Sequence, residues 1–143
     1  MMDDPQTWRE ARREAAAAQA AALQHRKDNE TAQARKLLAE FVAKMHSLGI
    51  EPQPLRAPVV GSGASYRTDV TGWYLRRNHS LGVDAEGNFY ILGMQPSVKA
   101  RLLGVQVQPS DPPIIIGQGA RDGESLPLKQ LLELRLAEIE DPE

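Results

Sequence analysis

Residues 66–94 read YRTDVTGWYLRRNHSLGVDAEGNFYILGM and decide the fold. Most of the aromatic residues of the chain fall here: Tyr66, Trp73, Tyr74, Phe89 and Tyr90. Aromatic and β-branched residues between turn formers mark strands. The run Asp84-Ala85-Glu86-Gly87-Asn88 is a turn signal. Asp starts such a turn well, and Gly tolerates the left-handed position that follows it. Residues 80–83 and 89–93 are therefore expected to pair antiparallel. A second turn at Asn78-His79 joins residues 73–77 to 80–83. As a two-residue loop it puts Tyr74, Arg76, Leu81, Val83, Tyr90 and Leu92 on one face. Trp73, Leu75, Gly82, Phe89 and Ile91 then take the other. A slip of one residue at either turn reassigns these faces.

Working outward, residues 5–48 contain Pro5 but no later Pro and no Gly, and helix formers dominate. Asp4 before Pro5 suits a helix start. One uninterrupted helix here is about 65 Å long at 1.5 Å per residue. Ala34, Leu37, Leu38, Phe41, Val42, Met45 and Leu48 form a core-facing stripe, which Gly49 and Pro52 end. Trp8, Ala11, Ala15, Ala18 and Ala22 trace a thinner stripe, out of phase with the first. The slip near residues 28–31 predicts a break, a kink or a change of partner. Residues 1–30 are read as a helical arm and 31–143 as one domain.

Residues 55–60 are expected to be a first strand, and Gly61-Ser62-Gly63-Ala64-Ser65 a loop. That loop lacks the Gly-Lys-Ser/Thr ending of a phosphate loop and does not match GxGxxG. Residues 98–103 suit a helical turn or a strand. Residues 105–108 alternate as a half-exposed strand does. Residues 114–116 suit a short buried strand. A last helix is expected from residues 125–127, with Leu128, Leu131, Leu132, Leu136 and Ile139 on one face; Arg135 falls inside that face, its head at the rim or on a buried partner carboxylate. The fold class is thus α+β: a long N-terminal helix, an antiparallel meander of four to five strands, and a C-terminal helix packed on the sheet.

Composition bounds function more than it reveals it. The 143 residues are 41% hydrophobic and 25% charged, with a net charge of −2 and no cysteine. The charge gives no global pull toward nucleic acid or an anionic membrane. Without cysteine there is no disulfide, no cysteine-based zinc site and no thiol nucleophile. No metal and no cofactor is expected. The acidic start of the chain and the lack of a long apolar run predict a cytoplasmic protein with no membrane segment. His25, His46 and His79 have no metal-ligand spacing. Ser62, Ser65 and Ser80 have no nucleophile elbow around them. The candidate carboxylate pairs are Asp69 with Asp84, and Asp122 with Glu124, but Asp84 and Asp122 are better explained by turns. The balance leans against an enzyme.

The richest candidate surface is Tyr66, Arg67, Trp73, Tyr74, Arg76, Arg77 and His79. Arginine beside aromatic residues anchors protein partners. It also holds single-stranded nucleic acid by stacking and phosphate contacts. The leading expectation is a non-catalytic protein-interaction module, self-association included, with single-stranded nucleic-acid binding as the alternative. Gly119, Arg121 and Gly123, in the loop before the last helix, form a candidate anion site. GWYLRRNHSLGVDAEGNFYIL together with GARDGESLPLKQLLELRL resembles a group of small proteins of GC-rich Gram-positive bacteria. That resemblance implies a bacterial cytoplasmic protein and carries no activity, ligand or catalytic residue.

Overall fold

The first helix starts where Pro5 allows it and stops where Gly49 forces it. A computed structural model describes residues 5–117 and 125–140. In it α1 runs unbroken over Pro5–Ser47. Gly49 N donates to His46 O and Ile50 N to Met45 O, with Gly49 at φ 72°. This is the glycine-based C-terminal cap in which the two residues past the helix satisfy its last carbonyls. The phase slip near residues 28–31 is not a break. It marks where the buried stripe of the helix begins. Every residue from 5 to 30 is exposed, whereas Ala34, Leu38, Phe41, Val42 and Met45 are buried. Leu48 lies past the helix end and is exposed, contrary to its place in the predicted stripe. The Asp4 cap falls outside the described residues.

A four-stranded antiparallel sheet follows, in the order β1-β2-β3-β4. Its strands are Gln53–Pro58, Ser65–Tyr74, Leu81–Asp84 and Phe89–Ile91. Both hairpin turns use the same device. In the second, Gly87 N donates to Asp84 O and Gly87 sits at φ 83°. In the first, His79 N donates to Arg76 O and His79 sits at φ 62°. A histidine thus occupies the left-handed place that glycine normally takes. The Asn78-His79 loop is therefore one residue longer than the two-residue reading. Trp73 lies opposite Val83, and Val83 opposite Phe89. Leu81 and Val83 consequently join Trp73, Leu75 and Phe89, not Tyr74 and Tyr90. Only the middle strand changes sides, because the slips at its two ends cancel.

This register divides the core by face. Trp73, Leu75, Leu81, Val83 and Phe89 are buried against Ala34–Met45 side chains of α1 and against α3, Leu128–Glu140. Leu128, Leu131 and Leu132 are buried, with Leu136 and Ile139 packed at the margin. Each such aliphatic or aromatic side chain contributes about 1.5–3 kcal/mol of gross hydrophobic stabilisation, opposed by ordering entropy. Trp73 Nε1 donates to Ile50 O at 3.1 Å, so its one polar atom is satisfied. On the other face, Leu55, Val70, Tyr74, Tyr90 and Leu92 form a second cluster with Val107.

The later segment departs most from expectation. Residues 98–103 form a helix, α2, Val98–Leu103, capped by Ser97 Oγ accepting from Ala100 N. Residues 105–108 are not a strand: Val105 makes only an isolated bridge to Thr68. β5, Ile115–Ile116, pairs with β6, Leu126–Pro127, so the last helix starts at Leu128 rather than at residues 125–127. Leu128 N donates to Ile114 O, which anchors that start.

Residues 112–115 and α1 residues between Gln24 and Thr31 line one open recess, and Arg35 pairs with Asp111 at 2.8 Å. No described residue before Gln24 is buried. Deleting residues 1–23 is therefore expected to move the thermal midpoint by less than about 2 °C, within the range of surface changes. Differential scanning calorimetry checks this. A larger drop would show that the exposed turns of α1 contribute to the fold.

Candidate functional site

The seven residues of the predicted surface do not form one patch. Trp73 and Tyr74 are buried on opposite faces of β2. Trp73 meets the His46 ring edge-on, with centroids 5.4 Å apart. Tyr74 Oη accepts from Arg56 N at 2.8 Å, and its ring stacks on His79 at 3.8 Å. Buried in this way, Trp73 and Tyr74 offer no open face for a stacked base, whereas Tyr66 is half-exposed and His79 exposed.

The remaining residues separate toward the two ends of β2. Arg67 and Tyr74 lie seven residues apart on one strand, about 23 Å at 3.3 Å per residue. At the hairpin end, Arg77 Nε lies 3.1 Å from Glu138 Oε2. Arg135 Nη1 reaches the same oxygen at 3.0 Å, and Arg135 Nε donates to Tyr74 O. Arg135 thus has a partner carboxylate while its head lies at the rim. Burial raises the Glu138 pKa, but the two guanidiniums outweigh it and hold the carboxyl below its ordinary value. These contacts tie α3 to the hairpin. They give Arg77 a structural use.

At the other end, Arg67 and Tyr66 join residues that sequence reading did not single out. Arg56, Arg67, Arg101, Ser62, Ser65 and Tyr66 line an open cleft of about 440 Å³. Arg56 lies directly opposite Arg67 in the β1–β2 register. Its Nε donates to Ser65 Oγ at 2.8 Å and its Nη2 to Ser65 O at 2.9 Å. Arg101 is delivered by α2. That helix is fastened by Tyr66 Oη, which accepts from Ser97 N at 3.0 Å. Tyr66 is therefore a strut of the cleft wall.

α2 also presents an apolar surface. Val98 is 77% exposed, Leu102 70% and Leu103 74%, while Ala100 faces inward and is buried. Val98 and Leu102 are four residues apart and share one side of the helix. No sequence signal marks them as exposed, since helical spacing of apolar residues ordinarily means core.

Asp84 and Asp69, the first pair considered for acid–base chemistry, are in structural use. Asp84 is buried and accepts from Glu86 N, Asn88 N, Asn88 Nδ2 and Tyr90 Oη at 2.8–3.1 Å. Burial raises its pKa, yet these hydrogen bonds outweigh burial and lower it. Tyr90 is pushed up to about 12 by burial and by its bond to Asp84. Asp69 Oδ1 accepts from Val107 N. Ser80 Oγ donates to Asn78 Oδ1 at 2.6 Å rather than toward a base. Among the described residues no group of acidic and histidine side chains could hold a metal ion. Among them also, no helix is long and apolar enough to cross a membrane. Gly119, Arg121, Gly123, Asp122 and Glu124 lie outside the described residues.

Fold and surfaces together define an α+β protein. An antiparallel meander is backed by two helices, and a third, short helix is displayed to solvent. No family model matches the chain, and no curated protein or solved structure matches it.

Proposed function

We propose that this is a non-catalytic protein-interaction module whose docking element is α2. The observation that carries the reading is the outward display of Val98, Leu102 and Leu103 on a helix held from behind by Ala100 and Tyr66. Large apolar side chains kept in water are unfavourable by about 25 cal/mol per Å², and a partner that covers them recovers that energy. Lys99, Arg101 and Arg67 are exposed beside them. The surface therefore fits a protein segment with an apolar side chain flanked by acidic residues, the charges steering approach and the apolar contact holding it. In this reading residues 1–30 are an arm appended to the domain of residues 31–143. Its Trp8 and Leu23 are exposed and offer a second contact, for another copy of the chain.

The test is the double variant Leu102→Asp with Leu103→Asp. Both sites are exposed, so the thermal midpoint should change little. Partners crosslinked to the wild type should be lost from the variant, and lost also when an acidic apolar peptide competes. Retention of the same partners by the folded variant would overturn α2 as the docking element. Light scattering on the chain lacking residues 1–23 reads the arm separately. An unchanged oligomeric state would remove it from self-association.

A further inference from the structure

We infer that the cleft holding Arg56, Arg67 and Arg101 binds a phosphate dianion, either free or as the terminal group of a small phosphate ester. The inference goes beyond the interaction reading and does not depend on it. Its first support is the register. Two arginines stand directly opposite each other across an antiparallel strand pair. Cross-strand partners project to the same side of the sheet, and like charges there repel. Arg67 and Arg56 are both exposed, so neither is retained for packing.

The second support is the pattern of pairing. Arg35, Lys44, Arg77 and Arg135 each meet a carboxylate within 4 Å, the distance of an ion pair. Among the described residues Arg56, Arg67 and Arg101 meet none; Arg76 and the arginines of the exposed turns of α1 also meet none, but Arg56, Arg67 and Arg101 line one cleft. Three guanidiniums thus line one cleft with no described carboxylate in ion-pair range. The third support is pre-organisation. Ser65 holds the Arg56 guanidinium plane through two hydrogen bonds, and Ser97 and Tyr66 fix the helix that carries Arg101. A guanidinium held in place loses less freedom on binding.

The chemistry selects phosphate over carboxylate. A phosphate monoester offers two negative charges and three oxygens, matching several forked donors at once. A carboxylate offers one charge and two oxygens, which a single arginine can saturate. The cleft volume of about 440 Å³ leaves room for a small ester beyond the phosphate itself.

The test uses the full chain in thermal unfolding and titration calorimetry. Sodium phosphate is compared with sodium chloride and sodium acetate at matched ionic strength and pH 7.5. Phosphate should titrate saturably in the calorimeter and raise the midpoint with the logarithm of its concentration, by about 5 °C at a tenfold excess over its dissociation constant. Arg67→Gln should weaken phosphate binding by at least about tenfold. Without phosphate the same variant should unfold no earlier than the wild type, because the opposed charge is gone. Arg101→Gln gives an independent variant from a different element. Glycerol phosphate binding more tightly than free phosphate identifies an ester as the ligand; the reverse order identifies free phosphate. An equal response to chloride or acetate overturns the site. So does unchanged affinity in both variants, or binding of a single-stranded oligonucleotide without any binding of phosphate. The Leu102→Asp/Leu103→Asp variant should keep its phosphate response, so failure of the docking reading leaves this one intact.

Discussion

Gly72→Ala is expected to destabilise the protein by about 3 kcal/mol or more, the upper range for an overpacked core. Gly72 faces Asp84 across the β2–β3 ladder. A Cβ there would fall well inside van der Waals distance of the Val83 carbonyl oxygen, and 2.8 Å from Asp84 Cα. Both obstacles are backbone. The clash is relieved only by prying β3 away from β2, which breaks the ladder that joins Trp73 to Val83. At a chain of this size the midpoint should fall by about 10 °C. Thr71→Ala, one residue earlier and exposed, is the control and should cost under about 0.5 kcal/mol. Urea unfolding of both variants checks the contrast. Near-equal stabilities would mean that the two strands are not in this register. Gly82 is the milder case. Its added Cβ would meet the ends of the Leu55 and Leu92 side chains, which can turn aside.

Asp84→Ala is expected to cost about 3 kcal/mol, because four donors lose their acceptor together. The backbone N–H groups of Glu86 and Asn88 define the turn, so the loss loosens the hairpin as well as its core face. Tyr90→Phe, which removes one donor of the four, should cost about 1 kcal/mol. The pH dependence follows from the same contacts. Asp84 has its pKa lowered in the folded chain. The unfolded state therefore binds the proton first as pH falls. The Asp84 contribution is present above the unfolded value near 4, and it is lost as pH drops through the lower folded value. Tyr90 works in the opposite window. Its folded pKa of about 12 exceeds the ordinary 10, so the folded state keeps a proton that the unfolded state releases. That contribution is present below pH 10 and lost between pH 10 and 12. Unfolding free energies at pH 3, 7 and 11 should decline at both extremes for the wild type. The Asp84→Ala variant should show a shallower decline on the acid side. An unchanged acid limb would mean that Asp84 is not held ionised by its turn.

The binding surfaces were less legible than the fold. Trp73 and Tyr74 looked available because tryptophan, tyrosine and arginine together resemble a hot spot. Whether an aromatic ring is a contact or a core residue depends on what covers it. Here α1 and α3 cover one face, and the second cluster takes the other. Arg56 could not be linked to Arg67 from sequence, since their opposition depends on a register shift between Pro54 and Arg56. Val98, Leu102 and Leu103 had the spacing of a buried helix face, and only the inward turn of Ala100 reverses that reading.

Local chemistry was enough to specify the helix end at Gly49, the turn at Asp84-Gly87, the leucine faces of α1 and α3, and the α+β class. Each of these depends on residues within a turn or two of one another. The side taken by β3, the ion pairing of Arg77 and Arg135 with Glu138, the gathering of Arg56, Arg67 and Arg101 along one cleft, and the exposure of α2 were decided only in three dimensions. They depend on pairing and burial between segments far apart in the chain, where a one-residue slip reverses every side chain of a strand.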